Sequence, residues 1–323
     1  MEYNLVYMAR PIYGGWVTFT AHLSLKYNFP IFKIFDSKQK KNTRKFGYNT
    51  IYTNLSINDI IQKKNIIITA LDKHFWKYLE YFPESTMLVI HDPGELKSNM
   101  NSNPLIKNNL LEKFKIITIR DTVQKYLSNT YQINSKFLLH PFFEYNKNSL
   151  EPMNNYAVSI SRIDYDKNTE IILRANKIIN DENKKIKIFG SENRFYIYKK
   201  LKGLELEKYW YGKFKKLLPI QYKNKDILKN CKFVIDLSTI KNDGGGTQYT
   251  FLEAIYNDCI LILHNDWINK GNLFKHNYNC LGVSNELELK EILENDNNYE
   301  NIIKNSKQIL QNNINVDWNN IIF

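Results

Sequence analysis

Short apolar runs alternate with amphipathic segments from one end of this chain to the other, and the alternation is interrupted only once. In the first half the apolar runs fall at 4–9, 30–35, 65–69, 87–91, 115–119 and 136–139, with helix-period patterns at 18–27, 73–81, 105–114 and 121–131. A continuous apolar run suits a strand covered on both faces, and the helical segments supply the crossovers of a parallel sheet. A polar stretch containing Pro152 breaks the pattern at 145–155. The alternation then restarts with runs at 156–161, 185–190, 233–237, 259–264 and 280–283, separated by segments at 168–179, 193–201, 207–211, 223–230 and 247–256. The last two segments, 286–294 and 299–312, read as surface helices.

A chain of 323 residues has room for two cores of this kind. The expected fold is α/β: two Rossmann-like domains, residues 1–150 and 151–323, facing a cleft, with the C-terminal helix able to pack back on the first domain. Ligands of such sheets bind outside the carboxyl ends of the strands, where the strand order reverses.

Composition narrows the class. At 43% hydrophobic and 14% aromatic residues the chain is an ordinary globular protein. No run is long and apolar enough to span a bilayer, and the start, with Glu2 and Arg10, does not read as a signal peptide. Cys231, Cys259 and Cys280 sit in or beside apolar segments, which points to buried thiols in a reducing, cytoplasmic setting rather than to a disulfide framework or a zinc site.

The net charge of +12 is uneven: residues 1–150 hold 20 Lys/Arg against 11 Asp/Glu, and the remainder 25 against 22. The densest cluster is Lys33, Lys38, Lys40, Lys41, Arg44 and Lys45, in a polar stretch at 36–49 that directly follows a strand. Such a patch attracts a polyanion such as double-stranded DNA, although an AT-rich genome would also enrich lysine with no partner involved.

Three motifs carry candidate chemistry. Gly14-Gly15 lies between the first strand and the first helix, where backbone can approach a bound group and a helix start favours an anion; a bare tight turn would use the same residues. Ser159-Ile-Ser-Arg-Ile-Asp-Tyr-Asp-Lys167 sets Arg162 and Lys167 around a strand-to-helix turn. Two cations there can clamp a diphosphate, or serve as solvated helix-end charges. Asp243-Gly-Gly-Gly-Thr-Gln-Tyr-Thr-Phe-Leu-Glu253 is a glycine-rich loop opening a helix, with Glu253 on an otherwise apolar stretch. Its amides suit an anion, and an acid on such a stretch needs a polar partner such as sugar or ribose hydroxyls, although an amphipathic helix with one exposed acid would show the same pattern. Asp164 and Asp166 superficially resemble a metal-binding pair but read as solvated loop acids, and no metal is expected.

This layout resembles the GT-B glycosyltransferases. Within them it is similar to the DNA α-glucosyltransferases of tailed phages, which modify 5-hydroxymethylcytosine. The resemblance rests on Tyr7-Met-Ala-Arg-Pro-Ile-Tyr-Gly-Gly-Trp-Val-Thr18, on His91-Asp92 after a strand, on Tyr211-Gly212, and on Tyr249-Thr-Phe-Leu-Glu253. Gln248 stands where that family has the first of two glutamates, a departure that bears on the donor contacts. The resemblance implies a retaining hexosyltransferase that uses a UDP-sugar, with UDP-glucose first, and needs no cofactor. Gly14, Gly15, Arg162, Lys167, Gly245, Gly246, Gln248 and Glu253 would contact the donor. Asp92 and His91 would be catalytic, with Asp92 the base, although Asp92-Pro-Gly94 is also a good turn sequence. Lys38, Lys40, Lys41, Arg44 and Lys45 would hold DNA, and Tyr13, Trp16 and Trp76 are stacking candidates that also suit a core. Two rival readings are the same fold acting on a polysaccharide, lipid or protein acceptor, and an inactive nucleic-acid-binding module.

Overall fold

The computed structural model of the chain describes residues 2–11, 14–34, 43–47, 50–97, 103–145, 155–212, 227–240, 245–295 and 297–323. They form two compact units, Met1–Glu144 with Asn312–Phe323, and Tyr145–Gln311.

The first unit is built on eight strands: β1 (Asn4–Met8), β2 (Ile31–Ile34), β3 (Thr43–Lys45), β4 (Ile51–Leu55), β5 (Ile66–Leu71), β6 (Met87–Ile90), β7 (Lys115–Thr118) and β8 (Lys136–Phe137). They lie in the order β3-β4-β2-β1-β5-β6-β7-β8. Every neighbouring pair is parallel except β3 with β4. Leu5 is level with Ile31 on one side and Ile67 on the other, and β5 and β6 are buried along their whole length. The apolar runs thus fill the interior from both faces, and the order reverses between β1 and β5.

The second unit has β9 (Ala157–Ile160), β10 (Ile186–Phe189), β11 (Trp210–Gly212), β12 (Phe233–Asp236), β13 (Ile260–His264) and β14 (Leu281–Val283). All are parallel, in the order β11-β10-β9-β12-β13-β14. This is the doubly wound arrangement of a dinucleotide-binding domain, with its reversal between β9 and β12. The α/β class and two Rossmann-like sheets are therefore as the sequence pattern implies.

Several elements depart from that pattern. The polar stretch at 36–49 contains strand β3, which pairs with the unanticipated β4 at the sheet edge. The segment 105–114 is two short helices, Pro104–Lys107 and Leu110–Lys113, because Asn109 takes a left-handed conformation between them. Only Trp76–Tyr81 of 73–81 is helical, and as a tight 3-10 turn. The three cysteines are buried and form no disulfide among the described residues. Among the described residues no helix is long and apolar enough to cross a membrane.

The last helix, Glu300–Asn315, is more than a surface element: Ile302, Ser306, Ile309, Leu310 and Asn313 are buried along it. Its final turn and the tail belong to the first unit. There Asn313 Nδ2 donates to His140 O at 2.8 Å, and Phe142 N donates to Asn313 O at 3.1 Å. Lys26 Nζ donates to Val316 O at 3.1 Å and to Ile314 O, supplying a cation where the helix carbonyls end. Trp318 is fully buried, stands edge-on to Phe19 with ring centroids 5.4 Å apart, and donates from Nε1 to Leu139 O at 3.0 Å. Trp318→Ala removes that ring and one hydrogen bond, so the first unit should lose roughly 3–5 kcal/mol of stability in denaturant unfolding.

Candidate functional site

In the second unit the sequence-predicted cations follow β9, and the glycine-rich turn follows β12, so both lie at the point of strand reversal. Two hydrogen bonds join the two loops: Asn168 Nδ2 donates to Leu237 O at 2.8 Å, and Thr239 N donates to Asp166 O at 3.0 Å. Arg162 is exposed and ion-paired to Asp164 at 3.2 Å and Asp166 at 3.5 Å. Those acids therefore serve to orient a guanidinium. Lys167 is half-buried, and its amine makes no ion pair or hydrogen bond among the described residues.

Gly245 and Gly246 have φ of 84° and 106°, a conformation L side chains rarely adopt, and they lead into the helix Tyr249–Tyr256. Gln248 sits at the N-cap in extended backbone, and its side chain makes no hydrogen bond to the first turn. With no side-chain cap, the partial positive charge of the helix start favours an anion. Glu253 lies one turn on and is 2% exposed. Burial, reinforced by the negative charge of Glu253, holds the Tyr249 and Tyr145 hydroxyls well above their usual range. Gly244 and Asp243 lie outside the described residues.

In the first unit Gly14 adopts φ 97° and ψ −174° at the start of the helix Gly15–Tyr27, with no side-chain cap and no acid in the first turn. Among the described residues, a Cβ on Gly14 or Gly15 would meet nothing within 4 Å, which leaves open space beside both. The glycine at 14 answers a backbone requirement, since that φ is strained for any other residue.

His91 and Asp92 follow β6. His91 is buried, and its Nε2 lies 2.8 Å from Thr69 O, which can only accept; Nε2 therefore carries the proton in the neutral ring. Burial, with Arg120 adding to it, lowers the His91 pKa to about 4, so the ring is neutral at pH 7. Asp92 Oδ1 accepts from Gly94 N at 2.7 Å, the turn role its sequence suggests. Asp92 Oδ2 makes no hydrogen bond among the described residues.

Sequence reasoning missed Glu95. Its Oε1 accepts from Trp16 Nε1 at 2.9 Å and its Oε2 from His91 N at 3.0 Å. Removal from water first, and the nearby Asp92 second, push its pKa up to about 8. The signal was present: Asp92-Pro-Gly-Glu95 has the cap residue, proline and acid of a helix start. Trp16 is thus tied down by its indole nitrogen, Trp76 packs against the core, and Tyr13 lies outside the described residues.

The basic patch divides. Lys33 does not belong to it: the side chain is buried, donates to Ala9 O at 2.9 Å, and lies over the Tyr7 and Tyr52 rings at 5.0 and 5.3 Å. Burial lowers its pKa to about 8. Arg44 and Lys45 are exposed on β3, whereas Lys38, Lys40 and Lys41 lie outside the described residues.

No protein-family model and no curated protein matches this sequence. Solved structures do match it. An Anabaena protein, Alr3699/HepE, in complex with UDP-glucose is 14% identical, with a TM-score of 0.65 over 96% of this chain and 95% of that one. An alpha-glucosyltransferase in complex with UDP-glucose and DNA containing an abasic site is 12% identical, with a TM-score of 0.67 over 96% and 95%. S. aureus TarM, bound to Fondaparinux, alpha-GlcNAc-glycerol and UDP, is 14% identical, with a TM-score of 0.54 over 79% of this chain and 53% of that one. The chain therefore has the GT-B fold of glycosyltransferases along nearly its full length.

Acid should destabilise the first unit. His22 and His91 have pKa values lowered to about 3 and about 4 by burial, and burial lowers His140 well below its usual value. The unfolded chain therefore binds more protons as pH falls below about 6.5, each ring removing about 1.4 kcal/mol per pH unit. Glu95, with its raised pKa, acts in the opposite direction over the same window. Three rings outweigh one carboxyl. Unfolding free energy should fall between pH 6.5 and 5, and His22→Asn should flatten that slope.

Proposed function

We propose that this protein is a retaining glycosyltransferase that moves a sugar, glucose in the first instance, from a UDP-sugar to hydroxymethylated bases in double-stranded DNA. The observation that carries the reading is the pairing of Arg162 and Lys167 with the glycine-rich helix start at the β9–β12 reversal, in a chain whose fold is shared end to end with UDP-glucose-bound glycosyltransferases.

The second unit binds the donor. Arg162 exchanges its two aspartates for the diphosphate, and Lys167 adds a point charge; together they stabilise the negative charge that grows on the leaving nucleotide. Amides around Gly245, Gly246 and the uncapped first turn after Gln248 add partial positive charge. Glu253 accepts from donor ribose hydroxyls. The first unit presents the acceptor. Asp92 takes the acceptor proton through Oδ2, His91 contributes a neutral ring beside it, and the open space at Gly14-Gly15 admits the reacting groups. The acceptor hydroxyl attacks on the face from which the diphosphate leaves. Its base leaves the stack to do so, while Lys38, Lys40, Lys41, Arg44 and Lys45 hold phosphates of the duplex.

A second reading keeps the donor chemistry and changes the acceptor. The likeness to TarM, whose structure contains alpha-GlcNAc-glycerol, favours it.

One measurement tests the donor site that both readings share, and a second separates the acceptors. UDP binding by calorimetry should weaken about 10- to 100-fold in Arg162→Ala and in Lys167→Ala, the equivalent of one charge-assisted hydrogen bond each. Unchanged affinity in both would remove the donor assignment. Duplex DNA binding should fall steeply with salt, and replacing Lys38, Lys40, Lys41 and Arg44 with Gln should lower the log–log slope by about 0.9 for each phosphate no longer neutralised. A slope that does not change argues for the non-DNA acceptor.

A further inference from the structure

The hydrogen bonds around Glu95 form a closed circuit. His91 Nε2 is bonded to Thr69 O at 2.8 Å on β5. Thr69 Oγ1 is bonded to Thr20 Oγ1 at 2.8 Å, and Thr20 Oγ1 lies 2.8 Å from Trp16 O on the helix Gly15–Tyr27. Trp16 Nε1 donates to Glu95 Oε1, and Glu95 Oε2 accepts from His91 N, which closes the ring. Thr20 and Thr69 are wholly buried, and Trp16 stands edge-on to the His91 imidazole with centroids 6.4 Å apart. A helix cap alone would need Glu95 to reach only its own turn. This one reaches a residue 79 positions away, at the helix start that bears Gly14 and Gly15.

We infer that Glu95 is a positioning residue: its carboxyl clamps the Gly14–Trp16 helix start to the His91-Asp92 turn, fixing the base relative to the open space where the acceptor enters. The inference rests on the proposed glycosyl transfer for its catalytic meaning, and on the hydrogen-bond circuit alone for its structural one. Asp92 has its Oδ1 committed to Gly94 N, so the direction of Oδ2 follows the turn, and among the described residues Glu95 and the Thr69 carbonyl hold that turn through His91. Without the clamp the turn moves relative to the helix start while the core stays closed, because the ring is a chain of single hydrogen bonds over a packed sheet. Misplacement on that scale costs rate more than binding.

The test uses the full chain with Trp16→Phe, which removes only the indole donor, Glu95→Gln, which keeps shape and one acceptor, and the double variant. Hydrogen exchange followed by mass spectrometry should show faster exchange at His91 and Asp92 in Trp16→Phe as well as in Glu95→Gln, with the melting temperature nearly unchanged. In turnover of UDP-glucose with hydroxymethylated DNA, kcat should fall about 10-fold in either variant while the KM for UDP-glucose stays within about 2-fold. The double variant should be no slower than the worse single one, since both break one bond. Unaltered exchange at His91 and Asp92 in Trp16→Phe overturns the inference whatever the enzyme's activity. A wild-type protein that shows no turnover counts against the functional reading instead, and leaves the exchange result to decide the clamp.

Discussion

A parallel sheet covered on both faces leaves little room for polar chemistry except in the loops that follow its strands. That constraint organises this molecule. β5, β6, β9 and β12 are buried along their whole length, so the candidate residues crowd at carboxyl ends: Arg162 and Lys167 after β9, the glycine-rich turn after β12, His91 and Asp92 after β6, Gly14 and Gly15 after β1. Each unit repeats the same solution with different residues. The second brings together cations and a glycine-rich helix start, whereas the first sets a carboxylate beside a neutral, buried imidazole.

The electrostatic contrast follows from burial. In the first unit, removal from water keeps His22, His91 and His140 uncharged and raises Glu95, with Arg120 a nearby fixed positive charge that acts on His91 and Glu95. In the second unit Arg162 stays exposed beside two aspartates that a diphosphate can replace. On the proposed function, an anionic donor is drawn to one unit, and proton removal is left to the other.

Much of this was legible in the sequence because strong apolar runs such as Met87–Ile90 and Ile260–His264 admit few alternatives to a buried strand. What escaped did so for physical reasons. β3 is Thr-Arg-Lys, a charged edge strand with no apolar signal, and β4 runs Ile, Tyr, Thr, Asn and Leu beside it. Charge pattern alone groups Lys33 with the surface lysines, yet it lies on β2 between two tyrosine rings, a placement that only the register of three strands reveals. Glu95 could have been found from its Asp-Pro-Gly-Glu start, but its partner Trp16 is remote in sequence and no local pattern joins them.

Nucleoside mass spectrometry reads the proposed sugar transfer to DNA directly. The protein is incubated with UDP-glucose and duplexes that differ only in carrying cytosine or 5-hydroxymethylcytosine, and the digested nucleosides are weighed. Glucosyl transfer to DNA should give a hexose-mass increment on hydroxymethylated cytosine alone, together with released UDP. Release of UDP with no increment on any base would contradict it and point to a different acceptor.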